Sequence, residues 1–385
     1  MSEQGASAPV PRLSELIEQP PATPSTRRRF LGQASLSLVF GGAALAACRE
    51  EGAEPGAQAA RVASDSLDPR GFANANSRLD SALHKDPAHG TLSTVPPGAA
   101  LPELRRYDPA LPPLSSQRTL RLNWRAQEVP VRISSDAVVA GWTFEGDIPG
   151  PIVHCRVGDT VEFTLTNEGM VPHSMDFHAA QIDPKQAFRS VTRGQSVSFT
   201  FKPRWAGAFM YHCGSAPVLM HIGAGMYGAL IVSPATPLSP AREFVLVESE
   251  FYLGAADANG IRPFDYTKML STQPDFLAFN GRPLQYVSDP IRVRRGDRVR
   301  FWLVNCGPTH SCAFHVVGEQ FDTVYLGAPP GSPVRGVQTW DVAAGGGMCF
   351  ELLCDIAGEF PFVNHGFGHG QKGAIGFLVV EAQAR

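Results

Sequence analysis

Four side chains, His173, Cys213, His221 and Met226, offer an imidazole, a thiol, a second imidazole and a thioether. Two histidines and one cysteine with a weak axial methionine make the trigonal site that suits both oxidation states of copper, so such a centre passes one electron with little rearrangement. Their order fits a strand-and-loop frame. One histidine lies upstream, and Cys213, His221 and Met226 cluster on a loop between two late strands. Met226 precedes the apolar run Ala229-Leu230-Ile231-Val232 and reads equally as core filler by that token. The flanking Gly225 and Gly228 favour the loop reading.

A second set lies beside the first. His178 follows His173 by five residues, and His212 is the immediate neighbour of Cys213. Successive side chains on a strand leave on opposite faces, so His212 and Cys213 cannot share an ion but can hold two ions joined by a short covalent path. Backbone and ligand reach place those ions on the order of 10 Å apart. A third imidazole must come from elsewhere, and His365, in FVNHGFGHG, is the candidate. A site built at a module boundary with one open position is what a catalytic metal needs. Asp176, two residues before His178, faces the same side of its strand and puts a carboxylate over that opening. His369 reads as a structural or relic histidine rather than a ligand.

The elements that hold these groups are strands. The chain has 385 residues, 43% hydrophobic and only 18% charged, with 38 glycines and 33 prolines, which predicts an all-β protein of short strands and turns. Lys+Arg 33 against Asp+Glu 36 gives a net charge of −3 without a strong block, so neither a nucleic-acid groove nor a polybasic membrane surface has support. From Ser115 onward a repeat emerges. GDTVEFTLTN (158–167) is matched by GDRVRFWLVN (296–305), HSMDFH (173–178) by HSCAFH (310–315), and AGAFMYHC (206–213) by AGEFPFVNH (357–365). Two copies of one β-sandwich follow, at 115–238 and 239–385. His315 occupies the repeat position of His178.

The first 48 residues read as an export signal of twin-arginine type. STRRRFL precedes a modest Gly/Ala/Ser-rich apolar stretch, shorter and more diluted than a membrane span requires. Leu45-Ala46-Ala47-Cys48 resembles a lipobox, while Ala44-Leu45-Ala46 is a competing cleavage site that leaves Cys48 without lipid. Either route puts the mature chain in the periplasm or on the outer face of the cell membrane, with a lipid anchor as its one link to the membrane. Residues 49–114, rich in Ala, Pro, Asp, Ser and Gly, read as a linker or extended tail. No CxxCH occurs, which excludes a fused c-type haem domain.

Taken together, the motifs resemble copper-containing nitrite reductases, from about Ser115 to the end of the chain. The resemblance implies two tandem cupredoxin-like Greek-key β-sandwich domains of the multicopper oxidase superfamily. It puts type 1 copper on His173, Cys213, His221 and Met226, and type 2 copper on His178, His212 and His365. It further implies a homotrimer in which His365 acts on the neighbouring subunit's site. Asp176 and His315 would handle protons, and Val317 would crowd the substrate, although a plain core valine fits equally. The implied reaction is one-electron reduction of nitrite to nitric oxide and water, with electrons from a small cupredoxin or cytochrome c. Gln320 stands where many relatives carry histidine, and Gln338-Thr339-Trp340 where many have Glu-Thr-Trp. These departures touch the outer proton and water network rather than the ligands.

Two rival readings are weaker. A laccase-like multicopper oxidase needs paired HxH motifs and an HCH triplet, but His178 is followed by Ala179-Ala180 and Cys213 by Gly214. A non-catalytic electron-transfer or copper-storage protein explains only the first set. Cys155, Cys306, Cys312, Cys349 and Cys354 lack zinc-like spacing; an oxidising compartment permits disulfides among them, with pairs in the second domain as the alternative, but they read first as small buried thiols.

Overall fold

The computed structural model describes residues 91–92, 94–95, 98–329 and 331–382. The export signal, Cys48 and most of the 49–114 segment lie outside the described residues. Alternating sequence becomes alternating burial. In Thr160–Asn167, Val161, Phe163, Leu165 and Asn167 point inward and the residues between them do not. Both copies of this strand are entered through the same turn. Gly158 and Gly296 take positive φ, +78° and +93°, which an L side chain resists. The following aspartate caps each turn, with Asp159 Oδ2 accepting from Arg156 N at 2.8 Å and Asp297 Oδ2 from Arg294 N at 2.9 Å.

The first sandwich pairs a five-stranded sheet with a four-stranded one. The larger runs Ile261–Arg262, Val138–Phe144, Thr119–Arg132, Thr160–Asn167, Ser196–Phe201. The smaller runs Val153–Arg156, Tyr227–Ser233, Gly207–His212, Asp176–Phe177. In the second sandwich a six-stranded sheet, centred on Arg242–Phe251, Arg298–Asn305 and Gly347–Leu353, faces a five-stranded sheet that includes Cys312–Val316, Gly358–Asn364 and Ile375–Glu381. Each copy contains the same two parallel pairings. Thr119–Arg132 beside Thr160–Asn167 corresponds to Arg242–Phe251 beside Arg298–Asn305, and Val153–Arg156 beside Tyr227–Ser233 to Ile291–Arg294 beside Ile375–Glu381. The repeat in sequence is therefore a repeat of topology, and the fold is two cupredoxin-like sandwiches.

The halves share a wall. Along Arg298–Asn305, Val299, Phe301 and Leu303 enter the second core while Trp302 and Val304 enter the first. Arg242–Phe251 does the same, with Phe244 and Leu246 on one side and Val245 and Val247 on the other. A sheet covered on both faces needs near-continuous apolar runs, which is why FWLV and FVLV interrupt the alternation. A strap crosses the junction as well. Leu111 N donates to Glu243 O at 3.0 Å and Val245 N to Pro109 O at 2.7 Å, while Tyr107 Oη donates to Gly150 O at 3.2 Å. Residues 105–112 thus belong to the folded body although their sequence has no apolar period, because main-chain hydrogen bonds hold them. Cys155, Cys306, Cys312, Cys349 and Cys354 are buried free thiols within the two cores.

Leu303 is fully buried. Leu303→Ala should cost about 2–5 kcal/mol, read as a lower midpoint of denaturant unfolding; an unchanged midpoint would mean that this wall is not packed as described.

Candidate metal centres

The strand Gly207–His212 and the loop after it deliver both sets. His212 pairs across the sheet with Asp176 on one side and Tyr227 on the other, and Cys213 N donates to Met226 O at 3.1 Å. From this strand end, Cys213 turns inward and is fully buried, whereas His212 turns outward and is half-buried. The side chains meet different partners, as strand alternation predicts.

On the inner side, Cys213 Sγ lies 3.3 Å from His221 Nδ1 and 3.9 Å from His173 Nδ1, and the two Nδ1 atoms are 3.3 Å apart. His221 rides on the short helix Val218–Gly223, which begins after Pro217. Met226 is buried in the loop just before the strand Tyr227–Ser233, its amide donating to His221 O at 3.1 Å, so main-chain bonds tie it to both His221 and Cys213. Trp142 packs edge-on against His221, with ring centroids 4.8 Å apart. Ser174 N donates to Cys213 Sγ at 3.3 Å.

Burial alone would raise the Cys213 pKa, but the positive character of His221 and hydrogen bonds from His173 and His221 bring it well below its ordinary value. Burial pulls His173 down, yet hydrogen bonds with Cys213 and Glu128 outweigh it and raise the ring to about 9. A dry pocket holding a thiolate among imidazole nitrogens fits a soft, closed, electron-passing metal site.

On the outer side, His178 and His212 face each other, Nε2 to Nε2, at 3.1 Å. His178 Nδ1 donates to Gly345 O at 3.1 Å and His212 Nδ1 to Cys213 O at 2.9 Å. Because each ring spends its proton on a carbonyl, both Nε2 atoms present bare lone pairs to one another. Two opposed acceptors repel unless a cation lies between them, so this pair also fits a metal. Desolvation by the surrounding protein, and then the neighbouring His212, lower the His178 pKa against the opposing pull of Asp176, which favours the neutral form that can ligate. Asp176 Oδ2 stands 3.8 Å from His212 Nε2, so the carboxylate joins the group.

His365 is not part of this group within the chain. It sits beside His315, ring centroids 5.4 Å apart, and beside the exposed Phe367 at 4.6 Å. His315 Nδ1 donates to Gln338 O at 2.6 Å. That contact uses the main chain, so glutamine in place of glutamate at 338 leaves it intact. Val317 is 40% exposed in the single chain, outside the two sandwich cores. His369 lies tilted against His310, ring centroids 4.7 Å apart, and its Nδ1 meets Asn364 Nδ2 at 3.2 Å, consistent with the structural reading. Glu128, Trp142 and Ser174 were not singled out by sequence, since none has a local spacing that marks it.

The matching family model is described as "Multicopper oxidase" and covers residues 125–237. A copper-containing nitrite reductase of Neisseria meningitidis serogroup A is 36% identical over 286 residues, 71% of this chain and 74% of that relative. Among solved structures, a copper nitrite reductase from Nitrosomonas europaea matches at 34% identity and a TM-score of 0.64, covering 69% of this chain and 95% of that one. A copper-containing nitrite reductase from Thermus scotoductus matches at 28% and 0.62, covering 69% of this chain and 63% of that one.

Loaded with Cu(II), the protein should show an intense visible thiolate-to-copper band. Cys213→Ser should abolish it while the second set still binds copper; a band that survives this substitution would place the thiolate elsewhere.

Proposed function

This chain belongs to the family of copper-containing nitrite reductases, and from that premise we propose how its residues divide the one-electron reduction of nitrite. The protein is a copper-dependent nitrite reductase. The balance is nitrite plus one electron plus two protons, giving nitric oxide and water. The observation that carries the division is the opposite placement of Cys213 and His212 at one strand end. It supports a type 1 copper held by His173, Cys213, His221 and Met226, and a type 2 copper held by His178, His212 and a third histidine. When bound, copper supplies one-electron exchange at the first set and, at the second, a Lewis-acid seat for the anion.

The chain's own groups do the rest. The Cys213–His212 peptide gives a covalent route between the sets, and burial of the thiolate keeps water away from the donor end. Asp176, beside His212, is the proton-holding group nearest the opening. His315 spends its Nδ1 proton on Gln338 O, which leaves Nε2 to take and return a proton on the substrate side. Val317, two residues on, limits the room beside it.

His365 pairs with His315 rather than with His178 and His212, and this supports its service to a second copy of the chain. The assembly is then a homotrimer, each type 2 site taking His178 and His212 from one subunit and His365 from the next. An external cupredoxin or cytochrome c supplies electrons on the type 1 side. The leader with STRRRFL supports work in the periplasm or on the outer membrane face, and either processing route before Cys48 is compatible with that. A laccase-like reaction is disfavoured because, among the described residues, ligand sets of this kind number two.

Assayed anaerobically with nitrite and a chemical reductant, the copper-loaded protein should yield nitric oxide with two coppers per chain. His178→Ala should abolish turnover and keep the visible band; loss of both would contradict separate sites. His178→Ala and His365→Ala homotrimers should each be inactive, yet mixed trimers of the two should regain activity. Absence of recovery in verified mixed trimers would sink the shared site.

A further inference from the structure

Glu128 lies on Thr119–Arg132, far in sequence from the metal sets, and its side chain is 2% exposed. Its Oε1 accepts three N–H groups: Met170 N at 2.8 Å, Val171 N at 3.0 Å and the ring nitrogen His173 Nε2 at 3.2 Å. An oxygen that accepts three donors carries no proton itself. The approach is so close that a Cβ on Gly169 would fall 2.6 Å from Oε1 and 3.1 Å from His173 Nε2.

The second copy supplies an internal control. Ala126 pairs with Asn167 and Glu248 with Asn305, so Glu128 and Glu250, each two residues further on, occupy equivalent register positions. Both asparagines clamp their loops alike. Asn167 Oδ1 accepts from Gly169 N at 2.8 Å, and Asn305 Oδ1 from Gly307 N at 2.9 Å. Glu250 Oε1 accepts from the amides of Thr309 and His310, at 3.0 and 2.6 Å. There the likeness stops. The His310 ring turns away and donates to Thr272 O at 3.0 Å, whereas the His173 ring donates to the carboxylate.

Resting on the reading of His173 as a type 1 copper ligand, we propose that Glu128 is a positioning residue that orients His173 and sets the redox poise of that centre. With a metal in place, a carboxylate on Nε2–H holds the ring's one proton there and leaves Nδ1, the atom on the Cys213 side, to ligate. It also makes the imidazole a stronger donor, which favours the oxidised metal. The glutamate at this register is a loop clamp in both copies and acts on a ligand ring in one.

Glu128→Gln keeps the shape and an acceptor oxygen but removes the charge. The copper-loaded variant should keep its visible band with a shifted maximum, and its type 1 reduction potential should move to a more positive value. Glu128→Ala should bind copper at this site about 10–100-fold more weakly. Glu250→Gln should lower the unfolding midpoint and leave the potential where it was. In the Cu(I)-loaded wild-type protein, the His173 Nε2–H resonance should be downfield and slow to exchange, which tests the contact even if the Glu128 variants do not fold. An intact band with an unchanged potential in Glu128→Gln, or a fast-exchanging Nε2–H, would overturn the proposal. Absence of any visible band in the wild-type protein would instead overturn the type 1 reading on which it rests.

Discussion

Two adjacent side chains of an extended strand leave on opposite faces, and the placement of His212 and Cys213 turns that geometric fact into a device. One residue step separates a dry thiolate pocket from a wet imidazole pair. Burial suits the two sets to different jobs. A centre sealed from water and lined by soft, preorganised donors exchanges charge with little rearrangement. A centre that keeps an open face can admit an anion and the protons it consumes.

The candidate ligand atoms are aimed by groups other than themselves. Each imidazole of the outer pair donates its Nδ1 proton to a carbonyl, one from Gly345 in the second sandwich and one from Cys213 itself. The route between the sets is therefore also part of the scaffold that orients the outer set. In the inner set a buried carboxylate plays the corresponding part for His173. In the outer pair the fold thus selects the tautomers before any ion arrives, which is the usual work of partners around a metal site.

The two side-chain clusters were legible in the sequence because metal-binding side chains come from few residue types and most of these lie close together along the chain. The repeat was legible because GDTVEFTLTN and GDRVRFWLVN encode the same turn and strand. Glu128 was not legible, since a lone glutamate carries no motif even in the inward phase of Leu120, Leu122, Trp124 and Ala126, and its partner lies 45 residues away. The bond from His178 to Gly345 spans 167 residues and uses a carbonyl, a group every residue has. The strap at 105–112 escaped for the same reason. Apolar periodicity reports side-chain burial and says nothing about a segment held by its main chain.

The wall between the sandwiches bears on how the duplication can have evolved. Once Trp302, Val304, Val245 and Val247 were committed to the neighbour's core, neither half remained a self-sufficient module. Splitting the gene at the junction would leave each product with an oily flank and a sheet missing its cover. Burying those side chains again would require a new cover for each half, so the shared wall ties the two copies together more firmly than the covalent link between them.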